Sequence, residues 1–421
     1  MRVHLDYGSR GLDVDVPDAP TVVVTPRHLP PLDDPDAALR DALRRPTAGA
    51  PLASLVASGQ RVAISVCDIT RAQPRERMVR ALLEALPQTA PDDVTILVAT
   101  GTHRANTPEE LVRMLGADLV ARHRVVNHDA RDDASLVALG TTSRGVPVWL
   151  NRHWVEADIR ITTGFVEPHF FAGFSGGPKM VAPGLAGLAT TLVLHDARHI
   201  GHPRATWGVT EGNPVHDDVR EIAAMTGVTF ALDVALNRDQ AIAQVFSGDL
   251  LAEHAAACAH VQATTMCPVD GRFDVVVTSN SGYPLDQNLY QAVKGMSAAA
   301  SIVKPGGTII CAAECRDGVP GHGPYGRLLR ERRTPDELLA MVEAPGFAEQ
   351  DAWQVQVQAL IQRRARVLVK ADGLSHEQLR AAHFEPVTDV GIAVREALGA
   401  AGSGATLAVL PHGPQTIPYV R

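Results

Sequence analysis

The stretch from Thr162 to His199, TTGFVEPHFFAGFSGGPKMVAPGLAGLATTLVLHDARH, constrains the fold of this chain more than any other. Gly173, Gly176, Gly177, Gly184 and Gly187 let backbone approach a bound group closely or take positive φ, and Pro168, Pro178 and Pro183 stiffen the path between them. His169, Lys179 and His195 stand in this apolar, charge-poor setting. A single histidine on such a background is ordinarily a hydrogen-bonded core residue. Two of them beside a Gly-Gly-Pro-Lys turn read instead as a loop built around a ligand. A lysine held there, if partly buried, has a lowered pKa and serves as a nucleophile or covalent anchor. The pattern is not a phosphate loop of the G-x-x-x-x-G-K-[ST] kind, because Pro178 precedes Lys179 and Met180 follows it. Nucleoside triphosphate hydrolysis is therefore not supported.

The chain has 421 residues, 45% of them hydrophobic, enough for two domains with substantial cores. A net charge of −8 and a pI near 6.1 argue against nucleic acid as a partner. The best basic cluster, Arg327 to Arg333, is interrupted by Glu331 and reads as a solvated helix face. Five cysteines, an odd number without a CxxC pair, suit a reducing compartment. With no N-terminal signal and no apolar span of about 20 residues, the expectation is a soluble cytoplasmic protein without a membrane partner.

Taken in order, residues 1–30 read as a hairpin or edge strands. Residues 61–67 (RVAISVC) and 94–99 (VTILVA) read as buried parallel strands, each followed by polar residues and a helix. Their tips carry Asp68-Ile-Thr-Arg71 and Thr100-Gly-Thr-His103, and binding groups collect at the carboxyl ends of parallel strands. Residues 158–163 form a strand that enters the central stretch, and residues 186–200 are expected as one helix, which sets His195 and His199 one turn apart on one face. A composition change at 263–271 marks a linker between a domain of residues 1–262 and a second of 272–421. The second domain begins with the strand 274–278 and a helix over about 287–303; residues 305–307 form a turn and 308–312 a further strand. The expected fold class is α/β, two domains with mainly parallel sheets and the active site in the cleft between them.

Polar groups thus gather as Asp68 and Arg71, His103, the set His169/Lys179/His195, and Tyr290, Gln291 and Lys294 on one helix. Tyr290 and Lys294 are spaced i, i+4 and share a face, which an exposed amphipathic helix would explain equally well. Arginine and lysine together suit a small carboxylate, and two histidines suit acid/base work near neutral pH.

These residues carry a resemblance. DITR at 68–71, ATGTHR at 99–104, GFVEPHFFAGFSGGPK at 164–179, His195 and YQAVKG at 290–295 closely resemble the nickel-pincer lactate racemase family, in order and with compatible spacing over nearly the whole chain. The resemblance implies a nickel pincer nucleotide cofactor (pyridinium-3-thioamide-5-thiocarboxylic acid mononucleotide), delivered by cofactor-synthesis enzymes. It makes Lys179 the lysine joined to the cofactor, with Asp68, Gly176 and Gly177 beside it, and His195 the nickel ligand. His103 and His169 become the two general bases, and Arg71, Tyr290, Gln291 and Lys294 the groups that bind the substrate carboxylate. Trp353 matches a family aromatic near the pocket.

The implied reaction is racemisation or epimerisation at C2 of a 2-hydroxy acid by reversible hydride transfer to the cofactor. A soft sulfur donor set with one imidazole suits square-planar nickel. No G-x-G-x-x-G fingerprint follows an expected strand, in keeping with a reaction that needs no NAD. Pro178 and Met180 depart from the arginine and small polar residue expected around the lysine of lactate racemases. The substrate is left open among lactate and longer, dicarboxylic or sugar acids. Two other readings of the same residues remain: a Lys/His-dependent hydro-lyase or aldolase with Lys179 as a Schiff base, and a non-catalytic nickel-cofactor carrier.

Overall fold

The computed structural model describes every residue except 19, 28 and 322. The chain divides into two compact units, one of residues 28–195 and 204–263, the other of residues 1–27, 196–203 and 264–421.

The first unit is built on a six-stranded sheet in the order Ile242–Gly248, Phe230–Leu236, Ile159–Phe165, Val62–Cys67, Val94–Ala99, Arg124–Asn127. All neighbours are parallel except the antiparallel edge strand Ile242–Gly248. Val62–Cys67 is buried at every position, as a strand covered on both faces must be. Its side chains alternate between two cores. Val62, Ile64 and Val66 join Met78, Leu82, Ile96, Val98 and Ile161, whereas Ala63 turns to Leu97, Trp154, Leu185, Val219 and Ile222. Helix Arg75–Ala85 follows the central strand, and helix Pro108–Leu115 follows its neighbour. The latter starts where the sequence says it should: Thr107 and Glu110 form a reciprocal capping box and Pro108 takes the first turn. Because three adjacent strands run parallel, residues 68, 100 and 166 all leave the sheet at one end.

The second unit has a fully parallel sheet in the order Glu385–Pro386, Arg366–Lys370, Val303–Ala312, Phe273–Ser279, Leu407–Leu410, Thr21–Val23. Its last strand comes from the N-terminus. The hairpin Arg2–Leu5/Leu12–Asp15 packs Val3, Leu5 and Val14 against Val275, Val277, Ile310 and Val409. The first 27 residues, expected with the N-terminal domain, are therefore part of the unit formed by the C-terminal half; a pairing across nearly 400 residues leaves no local pattern to read. The segment 263–271, expected as a linker, contains the strand Met266–Val269, paired in parallel with Ile417–Val420. The expected turn at 305–307 lies inside one strand, Val303–Ala312, with Gly306 at φ +75°.

Both sheets are mainly parallel and the fold class is α/β, as expected. No helix among the described residues is long and apolar enough to cross a membrane. All five cysteines are unpaired, four of them buried.

Candidate active site

Asp68 caps the central strand of the first unit and is 3% exposed. Its Oδ2 lies 2.7 Å from Nδ1 of His103, and its Oδ1 accepts from the Thr70 hydroxyl at 2.7 Å. Burial pushes the Asp68 carboxyl up, but the hydrogen bonds from His103 and Thr70 and the charges of His103 and Arg71 outweigh it and hold the group below its usual range. An ionised Asp68 accepts the Nδ1 proton of His103 and so leaves the Nε2 lone pair pointing onward. His103 sits where expected, on the turn after Val94–Ala99, with its side chain 47% exposed.

Two residues that sequence reasoning did not single out hold this tip in place. Arg75 is buried, and its guanidinium donates to the carbonyls of Cys67 (2.7 Å), Arg71 (2.6 Å), Gln73 (3.2 Å) and Asp68. Gln73 accepts from the Cys67 N–H at 2.7 Å and donates to the Thr163 hydroxyl at 2.8 Å, tying one strand tip to the next. Arg71 is exposed, and its backbone is fixed by this network at both N–H and C=O. Cys67 is no nucleophile, because burial pushes its thiol up to about 12.

Beyond strand Ile159–Phe165 the chain makes a tight hairpin, Pro168–His169 against Gly173–Phe174. The N–H groups of Phe171 and Ala172 face His169 Nδ1 at 3.5 and 3.3 Å, long contacts that orient the ring without fixing its protonation. A short 3-10 turn, Gly177–Met180, then carries Lys179. Gly176 and Gly177 have φ of +71° and +48°, and a Cβ on Gly177 would land on the ring of His254. Glycine is required there for both reasons. The buried ring of Phe171 joins the set: His169 lies edge-on at 4.5 Å between centroids, His195 at 5.1 Å, and Lys179 Nζ stands 5.5 Å over it.

His195 is 9% exposed and ends the helix Leu188–Leu194. Its Nδ1 lies 2.8 Å from the Thr191 carbonyl, which can only accept, so the ring carries its proton there and its lone pair on Nε2. The single helix expected over 186–200 is in fact two. Backbone leaves helical geometry at His195 (φ −113°, ψ 20°), and Asp196 caps a new helix, Ala197–Ile200, through the His199 N–H at 2.9 Å. His195 and His199 therefore do not share a helical face, and His199 Nδ1 pairs with Asp196 at 2.7 Å. No group of three or more His, Cys, Asp or Glu side chains among the described residues is placed to hold a metal ion.

In the other unit, Tyr290, Gln291 and Lys294 lie on helix Leu289–Ala300, each half-buried. Asn288 caps this helix by accepting from the Gln291 N–H at 3.1 Å. Trp353 Nε1 donates to the Tyr290 hydroxyl at 3.1 Å, and Gln354 donates to the Tyr290 carbonyl at 2.6 Å. The match at Trp353 thus falls on a residue that touches an expected site residue.

Residues 7–208 match the lactate racemase N-terminal domain family, and residues 270–417 the lactate racemase C-terminal domain family. The lactate racemase of Thermoanaerobacterium thermosaccharolyticum is 33% identical over 423 residues, covering 99% of this chain and 98% of its own. The lactate racemase of Lactiplantibacillus plantarum is 36% identical over 374 residues, covering 88% of each. Among solved structures, the lactate racemase apoprotein from T. thermosaccharolyticum aligns over the whole of both chains with a TM-score of 0.93 at 33% identity. A Thermotoga maritima protein shares the fold, with a TM-score of 0.68 at 18% identity over 92% of this chain and 98% of its own.

Proposed function

The chain belongs to the lactate racemase family, enzymes of the isomerase class, and from that premise we propose that it inverts C2 of a small 2-hydroxy acid with a nickel pincer nucleotide as cofactor. The observation that carries the reading is the Phe171 ring, which stands against His169, His195 and the Lys179 amine, beside the Asp68–His103 pair at the strand tips of the same unit.

The residues fit the cofactor. His195 presents one imidazole through Nε2, a donor suited to nickel beside the sulfur donors that the cofactor would bring. Lys179 is half-buried on a glycine turn, as an amine for covalent attachment needs. When bound, the cofactor supplies the site that takes the C2 hydride and gives it back.

The chain's own residues supply the rest. His103 Nε2 removes the 2-hydroxyl proton, with ionised Asp68 stabilising the imidazolium that results. His169 is the second acid/base group and serves the opposite antipode. Arg71 grips the substrate carboxylate through two hydrogen bonds, and substrate binding is also the role that the family resemblance gives Tyr290, Gln291 and Lys294. Loading by cofactor-synthesis enzymes belongs to the same reading, and which 2-hydroxy acid is used is a matter for a substrate panel.

The test is protein produced together with the cofactor-synthesis machinery. Intact mass should show an adduct on Lys179 with about one nickel per chain, and chiral chromatography should show exchange at C2 of at least one 2-hydroxy acid. Loaded protein that inverts none of a broad panel would falsify the assignment. Borohydride trapping of a carbonyl substrate on Lys179 in metal-free protein would favour the Schiff-base reading instead.

A further inference from the structure

Behind the Lys179 turn lies a group of buried polar side chains that the reaction does not use. Asp233 stands in the middle of strand Phe230–Leu236, opposite Gly164 of the neighbouring strand, and is wholly buried. Its Oδ2 accepts from the Gly177 N–H at 2.6 Å. Glu253, also wholly buried, comes from helix Leu250–Thr265 and faces it. Asp233 also draws on the backbone of Gly164, the residue opposite it, and among the described residues the Glu253 carboxyl has only that of Asp233 to bond with.

Two facing carboxylates repel strongly at low dielectric if both are ionised. One shared proton removes the repulsion and turns the contact into a hydrogen bond, while Asp233 keeps an anionic oxygen for Gly177. Burial pushes both carboxyls up, Glu253 further still through the charge of Asp233.

Two histidines complete the support. His254 Nε2 donates to the Ser175 carbonyl at 2.8 Å, and His216 Nδ1 donates to that of Ala172 at 3.2 Å, their rings stacked 5.6 Å apart. The loop 172–177 is therefore pinned from behind at three backbone atoms by side chains of a strand and two helices.

We propose that Asp233 and Glu253 are a proton-sharing positioning pair that fixes the Gly176–Gly177 turn and so sets the reach of the Lys179 amine. The pair touches neither substrate nor cofactor. Other titratable groups around it are Cys258 and His254 on the same helix as Glu253, Asp249 at that helix's start, and Cys67 on the central strand. The burial-raised thiols of Cys67 and Cys258 stay neutral, as does the burial-depressed imidazole of His254, so near neutral pH the proton that comes and goes is the shared one.

This inference rests on the proposed function only for what Lys179 is used for, so the test is made without the cofactor. Apoprotein is labelled with trinitrobenzenesulfonate over a range of pH, and the rate at Lys179 is read by peptide mass spectrometry. In the natural protein the rate should depart from a single amine ionisation curve where the pair loses its proton and the turn shifts. Glu253→Gln keeps a permanent donor to Asp233 and should follow a single curve. Asp233→Ala removes the acceptor for Gly177 and should lower the rate about tenfold. If that variant does not fold, Asp233→Asn, which keeps an acceptor for Gly177 but no longer ionises, should also give a single curve. Identical pH profiles for the natural protein, Glu253→Gln and Asp233→Asn overturn the proposal, as does an unchanged rate in folded Asp233→Ala. A profile as expected in a protein that never takes up the cofactor would sink the proposed function and leave the positioning pair standing.

Discussion

Asp68 shows how one carboxylate decides what its neighbour does. Buried, yet held below its ordinary value of 3.8, it stays ionised at working pH and keeps the His103 ring in one tautomer. Replacing it, Asp68→Asn, keeps the shape and loses the charge that stabilises the imidazolium. In loaded enzyme the turnover rate should fall about 100-fold while KM changes little, since the loss is felt when the proton moves. Equal losses in kcat and in substrate affinity would place Asp68 in binding instead. His254 makes the opposite case. Burial depresses its imidazole to about 4 from an ordinary 6.5, so between those values the unfolded chain binds a proton that the folded chain refuses. Acidification through that window therefore costs stability, on the order of 3 kcal/mol once complete. His254→Gln, whose amide can still donate to Ser175, should lessen the fall in Tm below pH 6.5 measured by calorimetry, with the neighbouring His216, depressed to about 3, sustaining the rest. A natural protein whose Tm is level across that range would contradict this. Asp68, His103 and Lys179 stand out in the sequence by their places at strand tips and in a glycine-rich turn. Asp233 left a fainter signal, an acidic residue in the middle of the apolar run FALDVAL, and His216 and Gln73 left none, since their partners are backbone atoms far along the chain.

Elements whose starts are encoded locally fell where the sequence put them. Helix Pro108–Leu115 has its capping box, and strand Val62–Cys67 has its unbroken apolar run. The region 186–200 did not, because helix propensity continues through His195 while the chain breaks there to let Asp196 cap a second helix. Propensity says nothing about a partner that has to be met in space. The Gly176–Gly177 turn is the reverse, dictated by residue type. Gly177→Ala combines a left-handed φ with a methyl group aimed at the His254 ring. It should destabilise the first unit by about 3 kcal/mol or more in urea denaturation and prevent adduct formation at Lys179 by intact mass. A variant of natural stability that still carries the adduct would show that the turn has room the geometry denies it.

Across the whole molecule, the N-terminal 27 residues are the part whose role no local reading reaches. Leu5 is fully buried in the core that contains Val409, and Thr21–Val23 pairs with Leu407–Leu410. Leu5→Ala should cost about 2–5 kcal/mol. Hydrogen exchange should locate that loss in strand Leu407–Leu410, with Val62–Cys67 unaffected. Loss of protection in Val62–Cys67 instead would mean the N-terminus supports the first unit. By itself the sequence determined the α/β class and the parallel strands with polar tips, because burial pattern, caps and glycine turns are local physics, and it named candidate site residues through strand-tip position and the family resemblance. Only the tertiary structure decided which strand closes the second sheet, where the helix breaks at His195, and which buried groups stand behind the Lys179 turn. Each of those depends on a hydrogen bond or an apolar contact between residues that the chain brings together only after it folds.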